Sequence, residues 1–581
     1  VGGLDIRPCG GGHPSMTGSS ETRHGDLPWW KRTTVYQIYP RSFSDLSGDG
    51  VGDLPGIIAR LDYLQWLGVE TIWLSPFFES PQADFGYDIS NHFDVAPEYG
   101  SLEDCRRLID EIHARGMKVV LDMVLNHTSD QHPWFRESRK SRHNPYRDFY
   151  IWRDGRKPDG AGPPNNWSSM LGGSGWQYDA QTGQWYWASF LPFQPDLNYR
   201  NPKVKRAMLD VVRHWLREGV DGLRLDIFNA IYKDASFADN PRSLRAIPSE
   251  DSPGGFFQKA VHTQNHPDTF EFARELRAVV DEFSDPPRFV VGEVFGSADV
   301  LRKYCGPSAD GLNLVFLFKS LRTAFRAHAF RRLVDEFESA FPEPFHPTYV
   351  FGNHDRPRQL ARLSNDPARA RLLAAFQMTV RGVPFIYYGD ELGLPHHPMP
   401  RDAAQDPLAQ RFRWIPKALL PFLRRRGILT NRDECRSPMP WHDGRHAGFA
   451  PPDARQPWLP LHPQSATVNV ASQREDPASV LSAYRRMLTL RRRSLALSAG
   501  SLEVADPSIH RKEIFAFRRF YEDSRRRETA EVFLNFSKRE VAIDLRNRPV
   551  GSDALLHSNL HDTPVAAKAR HVLRPWEGAV V

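Results

Sequence analysis

From about residue 33 to residue 489 the chain alternates short runs of β-branched residues with segments of helical periodicity. Such alternation is typical of βα units around a parallel sheet, because each crossover helix covers strands that are buried on both faces. Eight such runs occur, and eight strands are the number that closes a TIM barrel. The sequence therefore predicts an α/β protein of the (β/α)8 class. The predicted strands span residues 33–39, 71–74, 119–124, 220–226, 289–293, 312–317, 347–352 and 383–388.

Two of the predicted helices have clear apolar stripes. The first contains Ile57, Leu61, Leu64 and Leu67, which share one face at helical spacing. A second, longer helix is predicted from about residue 200. Its apolar stripe is wide enough to pack against a sheet. Its apolar residues are Val204, Met208, Val211, Val212, Trp215 and Leu216.

The βα pattern breaks after the third predicted strand and resumes near residue 190. So long an interruption within a barrel indicates an inserted subdomain or a functional loop. Its many aromatic residues could line sugar subsites, but most are expected to form the core of the insert itself. The predicted division is a flexible N-terminal segment at 1–27, a barrel at 28–127 and 190–489, an inserted subdomain B at 128–189 and a C-terminal antiparallel β domain at 490–581.

Charge and cysteine usage exclude several classes of partner. Lys and Arg number 76 against 70 Asp and Glu, and no basic stripe runs beside an aromatic platform, which argues against nucleic-acid binding. No run of eighteen apolar residues occurs, so no membrane partner is expected, and the first 28 residues lack the apolar core of a signal peptide. The 4 cysteines are scattered without a CxxC pair, which is typical of a reducing compartment. We expect a cytoplasmic monomer or homodimer that acts on a small molecule.

Polar residues gather at the ends of the predicted strands, which is where active sites of TIM barrels lie. Asp122, Asp226, Glu293 and Asp355 end or closely follow four different strands. Side chains alternate along a strand, so Arg224 and Asp226 point to the same side, into the barrel. Charges there are costly unless they are paired or used. The pair alone could be a structural ion pair, but carboxylates from several strand ends favour a catalytic site.

Two carboxylates at one small site suit glycoside cleavage, because one can attack or stabilise while the other holds a proton. Arg224 is expected to lower the pKa of Asp226 and keep it ionised. Ordered motifs accompany these residues: DMVLNH at 122–127, GLRLD at 222–226, GEV at 292–294 and FGNHD at 351–355, with QPDLN at 194–198, YQIYPRSF at 36–43 and RSPMPW at 436–441. The first four resemble the signature regions of the α-amylase superfamily. The last three resemble motifs of its α-glucosidase and oligo-1,6-glucosidase branch.

The resemblance implies a role for each matching residue. Asp226 would form a glucosyl-enzyme, Glu293 would protonate the glycosidic oxygen and then activate water, and Asp355 would stabilise the transition state. Such a mechanism retains the anomeric configuration and predicts carboxyl groups of Asp226 and Glu293 about 5–5.5 Å apart. The residues implied to surround the glucose are His127, Arg224 and His354. Phe190 and Gln194, which lie beside the QPDLN motif, are further candidates for binding the substrate.

The run DFGYD at 84–88 resembles the pocket motif of this branch, in which an Asp binds the distal hydroxyls of a terminal glucose and a Tyr stacks on its ring. Those roles fall to Asp84 and Tyr87, although core packing is the alternative for Tyr87. We expect Arg436 to be the ionic partner of Asp84, so that the closed subsite admits only a chain end. Ile227 follows the nucleophile and has the branched bulk of the Val that accompanies α-1,6 preference in this branch. It therefore favours α-1,6 or broad short-oligosaccharide specificity, a selectivity effect of about 1–3 kcal/mol.

A glycine-rich loop places oxygen-bearing side chains at every second residue, as in the first part of an EF-hand loop. They belong to Asp45, Ser47, Asp49 and Asp53. Related α-glucosidases hold a structural Ca²⁺ or Mg²⁺ in the matching loop, where the carbonyl of Val51 would add a ligand. The alternative is a metal-free turn that caps the first helix. No organic cofactor is expected.

The sequence thus predicts a retaining exo-α-glucosidase that removes terminal glucose from short oligosaccharides and α-glucosides. A transglucosylase or isomerase of the sucrose isomerase or trehalose synthase type is the alternative, because sugar hydroxyls can capture the covalent intermediate instead of water. A non-catalytic relative that accompanies amino-acid transporters is a remote alternative, since it would carry a membrane helix and lack the carboxylates.

Overall fold

A computed structural model describes residues 27–245, 248–249, 251, 254–425, 429–505, 512–546 and 555–581. The predicted N-terminal segment 1–27 lies outside the described residues except for Leu27.

Seven parallel strands form a curled sheet that encloses most of the barrel. They are β1 (Val35–Ile38), β2 (Thr71–Leu74), β3 (Lys118–Met123), β4 (Gly222–Leu225), β5 (Phe289–Gly292), β6 (Leu314–Val315) and β7 (Phe385–Tyr387). Their spatial order is β6-β5-β4-β3-β2-β1-β7, so strands that are consecutive from β1 to β6 are neighbours and β7 flanks β1. Each predicted strand except the seventh therefore corresponds to an observed one.

The segment 347–352, predicted as the seventh strand, closes the barrel through two bridges. Tyr349 makes a parallel bridge with Leu317, just beyond β6, and Val350 makes one with Phe385 of β7. Pro347 has no N–H to donate, which limits the hydrogen-bond ladder at the start of the segment. The strand is thus shorter than predicted, yet it joins the two edges of the sheet.

A helix follows each strand position and packs on the outside of the sheet. In chain order the main ones are Leu61–Leu67, Leu102–Ala114, Pro202–Arg217, Pro267–Asp281, Ala298–Tyr304, Ala327–Ala340, Pro367–Thr379 and Val480–Arg493. The helix Pro202–Arg217 begins where Asn201 accepts a hydrogen bond from the N–H of Lys203, and its six predicted apolar residues are all buried. The other helices are shorter: Trp29–Arg32, Leu54–Ile58, Pro133–Ser138, Gln359–Arg362, Pro407–Arg411, Leu420–Arg425, Val470–Glu475 and Leu495–Ala499.

The first predicted crossover helix is two helices in the structure. Arg60 leaves helical geometry, with φ −109° and ψ 2°, so Leu54–Ile58 and Leu61–Leu67 are separate. Ile57 and Leu61 lie on opposite sides of this break and are both fully buried. The apolar face was predicted correctly, whereas the break that divides it was not.

Alternation along the strands divides the barrel interior into an apolar layer and a polar layer. The apolar layer is one cluster that includes Val35, Trp73, Val120, Val291 and Phe385. Side chains two residues apart on a strand lie on the same face. The next layer of the interior is therefore formed by residues two positions further along each strand. Those residues are Gln37, Asp122, Arg224 and Glu293.

Subdomain B contains a three-stranded antiparallel sheet in the order Trp152–Arg153, Gln184–Trp187, Trp176–Asp179. Its core consists of Ile151 and the three indoles of Trp167, Trp176 and Trp187. These rings pack against one another at centroid distances of 5.3–6.0 Å. The prediction that most of the aromatic residues form the insert's own core is therefore confirmed for these three.

The C-terminal strands form a six-stranded antiparallel sheet that begins at Ser501. Its order is Ser501–Val504, Ile514–Glu522, Arg527–Asn535, Gly578–Val580, Leu555–Ser558, His561–Ala566, and Val541–Asp544 pairs separately with Arg570–Leu573. Arg519, which is fully buried, ties this sheet to the barrel. It donates to the carbonyl of Thr379, at the end of a barrel helix, and to those of Gly500 and Ser501.

Replacing Arg519 with Met should destabilise the protein, because Met fills the space but leaves three buried carbonyls without a donor. We expect the free energy of unfolding to fall by about 3 kcal/mol. Urea denaturation followed by tryptophan fluorescence measures it, with Arg525→Ala in an exposed turn as control. A loss below about 1 kcal/mol for Arg519→Met would contradict this account of the domain junction.

Candidate active site

One buried arginine joins three carboxylates from neighbouring strands at the C-terminal mouth of the barrel. Arg224 on β4 donates through Nη1 to Asp122 of β3 and to Asp226 after β4, each at 2.7 Å. Its Nη2 donates to Glu293, which follows β5, at 2.5 Å. Arg224 is fully buried, whereas Asp226 and Glu293 each keep 8% exposure. The two predicted catalytic carboxylates therefore share one guanidinium and still face the opening.

The charge balance of this cluster differs from the sequence-based expectation. Burial raises the pKa of Asp226 well above its ordinary value, and Glu293 and Asp122 add to this effect while Arg224 opposes it. Burial likewise raises the pKa of Asp122 to about 6 against the pull of Arg224. The expectation that Arg224 lowers the pKa of Asp226 was therefore wrong in net direction. One cation does not offset burial and the repulsion among three carboxylates, so the pKa of Asp226 is raised on balance.

A second group surrounds Asp355, the predicted transition-state stabiliser. His354 lies 3.0 Å from Asp355, and Nη2 of Arg436 donates to it at 2.8 Å. Burial alone would raise the pKa of Asp355. Its contacts with His354 and then with nearby guanidinium groups outweigh burial and hold the pKa well below the usual range. Asp355 is thus held as an anion beside two carboxyl groups, Asp122 and Asp226, whose pKa values are raised.

Tyr87 connects the two groups. Its hydroxyl donates to Asp122 at 3.0 Å and lies 2.6 Å from Nε2 of His354. The rings of Tyr87 and His354 stack with centroids 5.2 Å apart. The other ring nitrogen of His354 lies 2.8 Å from the amide of Gln37. Tyr87 is buried and contacts other site residues. It therefore packs in the core and also lies in the site.

The ionic partner of Asp84 is Arg432, and the predicted pairing with Arg436 is wrong. Nη2 of Arg432 donates to Asp84 and, at 2.8 Å, to Asp406. Arg436 instead binds Asp355. Both arginines belong to one short turn that begins at Arg432, yet they bind different carboxylates.

The remaining predicted site residues are Gln194, His127 and Phe190. Gln194 donates to Asp84 at 3.0 Å, and the ring of His127 lies 3.1 Å from the carbonyl of Tyr87. Phe190 is on the same loop as Gln194, and its carbonyl accepts a hydrogen bond from Ser169. The roles of these side chains toward a sugar stay predictions.

Sequence reasoning missed Arg432 and Asp406, which together with Asp84 form a buried charge network. Burial would raise the pKa of Asp406, but Arg432 outweighs it and lowers that pKa. A signal was present, because Arg432 precedes Arg436 by one helical turn, a spacing that places two side chains on one face. Asp406 carries no comparable signal, since its partner lies far along the chain.

Ile227, the residue after the predicted nucleophile, has a left-handed backbone with φ 43° and ψ 37°. A β-branched residue rarely adopts this conformation. Its N–H lies 3.3 Å from the carboxylate of Glu293. The unfavourable conformation therefore aims a backbone donor at the predicted acid/base.

In the predicted metal loop, backbone N–H groups already occupy several carboxylate oxygens. Asp45 accepts from Gly48 and Gly50, and Asp53 accepts from Ser47 and caps the helix Leu54–Ile58. Burial raises the pKa of Asp53, and the nearby Asp45 adds to this. Within the described residues no group of three or more His, Cys, Asp or Glu side chains has a metal-binding arrangement. Asp45 and Asp53 lie close enough for their charges to interact, while Asp49 accepts from the N–H of Val51.

Carboxylates on neighbouring strand ends of a (β/α)8 barrel, gathered around one guanidinium at a buried mouth, define a glycoside hydrolase site. The chain belongs to the α-amylase family, because the family model described as "Alpha amylase, catalytic domain" matches residues 37–500. The predicted family and fold class are therefore confirmed.

Known proteins resemble the chain over most of its length. It is 41% identical over 495 residues to a probable alpha-glucosidase of Rhizobium meliloti (strain 1021), covering 83% of this chain and 86% of that protein. It is 35% identical over 585 residues to an oligo-1,6-glucosidase of Parageobacillus thermoglucosidasius, covering 95% and 98% of the two chains. The crystal structure of the alpha-glucosyl transfer enzyme XgtA superposes with a TM-score of 0.82 at 36% identity, covering 95% of this chain and 99% of that one.

Replacing Asp122 with Asn should shift the pH dependence of activity. Asp122 accepts from Arg224 through one carboxylate oxygen and from Tyr87 through the other. The variant keeps one acceptor oxygen, which can serve Arg224, and removes one negative charge, so the pKa of Asp226 falls. Because a nucleophile reacts in its ionised form, the acidic limb of the kcat/KM profile should move down by about one pH unit. An unmoved limb, or one shifted to higher pH, would show that Asp122 does not raise the pKa of Asp226.

Proposed function

We propose that the protein is a retaining exo-α-glucosidase that releases terminal glucose from short oligosaccharides and α-glucosides. The observation that carries the proposal is the shared guanidinium of Arg224, which joins Asp226 and Glu293 at the ends of adjacent strands. The names of the relatives, a probable alpha-glucosidase and an oligo-1,6-glucosidase, support the same reaction class.

In this mechanism Asp226 attacks the anomeric carbon and Glu293 donates a proton to the departing glycosidic oxygen. The bond from carbon to the leaving oxygen breaks as the bond to Asp226 forms. Glu293 then takes a proton from water, which attacks the same carbon and releases Asp226. Asp355, held anionic by its contacts with His354 and Arg436, stabilises the positive charge that develops on the sugar ring.

Exo action follows from the wall formed by Asp84 and Arg432. Both side chains are buried, and Gln194 and Asp406 fix their orientation through hydrogen bonds. A closed ionic wall leaves no room for a further sugar beyond the terminal glucose. Asp84 would accept hydrogen bonds from the distal hydroxyls of that glucose, which rejects substrates lacking them.

Replacing Asp226 with Asn should reduce turnover of p-nitrophenyl α-glucoside by at least about a thousandfold, because the amide cannot form the covalent intermediate. Asp234→Asn is the matched control: it lies in the loop after the same strand but pairs with His262, outside the site. Substantial activity in purified Asp226→Asn protein would exclude this nucleophile.

Retention can be tested independently of any variant. Proton NMR of the first product should show α-glucose before mutarotation, because two inversions at the anomeric carbon restore its configuration. Initial release of β-glucose would overturn the proposed double displacement.

We infer a preference for α-1,6 linkages from Ile227, which follows the predicted nucleophile, has a branched side chain, and directs its backbone N–H to the carboxylate of Glu293. Ile227→Thr removes apolar bulk while keeping a β-branched residue at a strained backbone position. The ratio of kcat/KM for maltose to that for isomaltose should rise by about tenfold in the variant. An unchanged ratio would show that linkage preference is decided elsewhere.

Glucosyl transfer is the second candidate, and the likeness to the alpha-glucosyl transfer enzyme XgtA favours it. The same glucosyl-enzyme can pass its sugar to a hydroxyl in place of water. Chromatography of products from maltose, isomaltose, sucrose and trehalose distinguishes the two, since hydrolysis yields free monosaccharides and transfer yields new oligosaccharides.

We propose that the loop of Asp45, Ser47, Asp49, Val51 and Asp53 binds a structural Ca²⁺ or Mg²⁺. The convergence of Asp45 and Asp53 on one turn supports this, because a cation would offset their mutual repulsion. Treatment with EDTA should then lower the melting temperature, and added Ca²⁺ or Mg²⁺ should restore it. An identical melting temperature with and without EDTA would favour the metal-free turn.

We propose a cytoplasmic location, which the buried free thiols of Cys105, Cys305 and Cys435 support. No helix in the described part of the chain is long and apolar enough to cross a membrane.

A further inference from the structure

Gln37 is a buried amide of the barrel interior that has no part in the proposed mechanism. It lies on β1 within the motif YQIYPRSF, two residues after Val35, so its side chain enters the polar layer of the barrel. Only 1% of Gln37 is exposed. A buried amide is costly unless its N–H groups find acceptors, so the contacts of this side chain indicate its role.

The amide nitrogen of Gln37 contacts two groups that can accept a hydrogen bond. Nε2 donates to Oγ of Ser75, just after β2, at 3.0 Å, and it lies 2.8 Å from Nδ1 of His354. An amide nitrogen donates and does not accept, so Nδ1 of His354 is the acceptor and carries no proton. The single ring proton of a neutral His354 is then on Nε2.

Contacts on the other side of the ring require the same proton position. Nε2 of His354 lies 3.0 Å from Oδ2 of Asp355 and 2.6 Å from the hydroxyl of Tyr87. Asp355 is held as an anion and can only accept, and Tyr87 donates its own proton to Asp122. Nε2 is therefore the donor to both. If the oxygen of the Gln37 amide faced Nδ1 instead, a neutral ring would turn a bare Nε2 towards these two oxygens.

The surroundings of His354 oppose a second proton on the ring. Burial lowers the pKa of His354, and Arg436 and Arg224 add to the lowering, whereas Asp355 raises it. The balance is a lowered pKa, which leaves the ring neutral at neutral pH. Three uncharged aromatic rings also pack against His354: Tyr39, Tyr87 and Trp73.

We propose that Gln37 is a positioning residue that holds His354 as the neutral tautomer with its proton on Nε2. Asp355 alone would favour the doubly protonated imidazolium, because an adjacent anion attracts a second proton. Gln37 opposes this from the opposite side of the ring, since a proton on Nδ1 would point at the N–H of the amide. The tautomer follows from the contacts alone, whereas its effect on turnover rests on the proposed function.

The tautomer also sets the direction of a chain of hydrogen bonds across the site. The chain runs from Gln37 through His354 and Tyr87 to Asp122, and each group donates to the next. Burial raises the pKa of Asp122, and the bond from Tyr87 is one of the contacts that oppose it. A proton on Nδ1 in place of Nε2 would reverse the bond between His354 and Tyr87 and withdraw this donor from Asp122.

The same tautomer places a donor beside an acceptor in the pocket. Nε2–H of His354 and the carboxylate of Asp355 together match a sugar hydroxyl, which both donates and accepts. An imidazolium would instead add a positive charge where positive charge develops on the sugar ring. It would therefore offset part of the stabilisation that Asp355 provides.

NMR of the full chain labelled with ¹⁵N-histidine tests the tautomer without any substrate. Protonated and unprotonated ring nitrogens have well-separated shifts, and His354→Asn identifies the signals of His354 among the 22 histidines. We expect a protonated Nε2 and a bare Nδ1, unchanged between about pH 5 and pH 8. A proton on Nδ1 in the unaltered protein, alone or together with one on Nε2, would overturn the proposal.

Two variants of Gln37 test its role. Gln37→Glu keeps the shape of the side chain but presents only acceptors, so Nδ1 should become protonated at neutral pH. The kcat for p-nitrophenyl α-glucoside should then fall by about a hundredfold, with a smaller change in KM. Gln37→Met removes the donor, so the pKa of His354 should rise by about one unit, and the loss of kcat should grow as the pH is lowered.

The matched control is Gln377→Met, which removes another buried amide, one that donates to the carbonyl of Phe385 in the barrel wall. It should change neither the His354 signals nor the pH profile of kcat. Equal changes in the two Met variants, or an unaltered kcat in Gln37→Glu with Nδ1 protonated, would overturn the positioning role. If the unaltered protein holds the expected tautomer but hydrolyses no α-glucoside, the proposed function fails while the tautomer set by Gln37 stands.

Discussion

The buried guanidinium of Arg224 is the interaction on which the rest of the site depends. Its contacts with Asp122, Asp226 and Glu293 link the ends of β3, β4 and β5. A guanidinium without counter-charges inside a barrel would cost several kcal/mol, and carboxylates without it would cost as much. The polar layer can therefore exist only as a set, and it requires the strand order that brings three strand ends together.

The charged groups around Asp355 shift its pKa in the opposite direction. Around Arg224 the carboxylates outnumber the cation, so burial prevails and the pKa of Asp226 is raised. Around Asp355 the contacts with His354, Arg432 and Arg436 outweigh burial, so its pKa is lowered. Tyr87 and His354 lie between the two groups and separate them by uncharged rings. One carboxyl group can then donate a proton while a neighbouring carboxylate stabilises positive charge on the sugar, and glycoside cleavage requires both.

Much of this arrangement could be predicted from the sequence, because it follows from local periodicity. The alternation along β4 placed Arg224 beside Asp226, and the stripe on Pro202–Arg217 predicted the buried face of that helix. The break at Arg60 could not be predicted, since the apolar residues continue in phase across it. The segment 347–352 was predicted as a strand, but its reduction to two bridges was not, because composition does not report how many hydrogen bonds a β-branched run makes.

The sequence by itself determined the barrel, the family and the carboxylates at the strand ends, because periodicity and ordered motifs are local properties of the chain. Tertiary structure alone decided which charges meet. Arg432, and not Arg436, reaches Asp84, and Asp406 joins them from a distant segment. It also decided that three carboxylates share Arg224, which reverses the expected pKa shift of Asp226. Net charge at a buried point depends on every group packed around it, and those groups come from parts of the chain that only folding brings together.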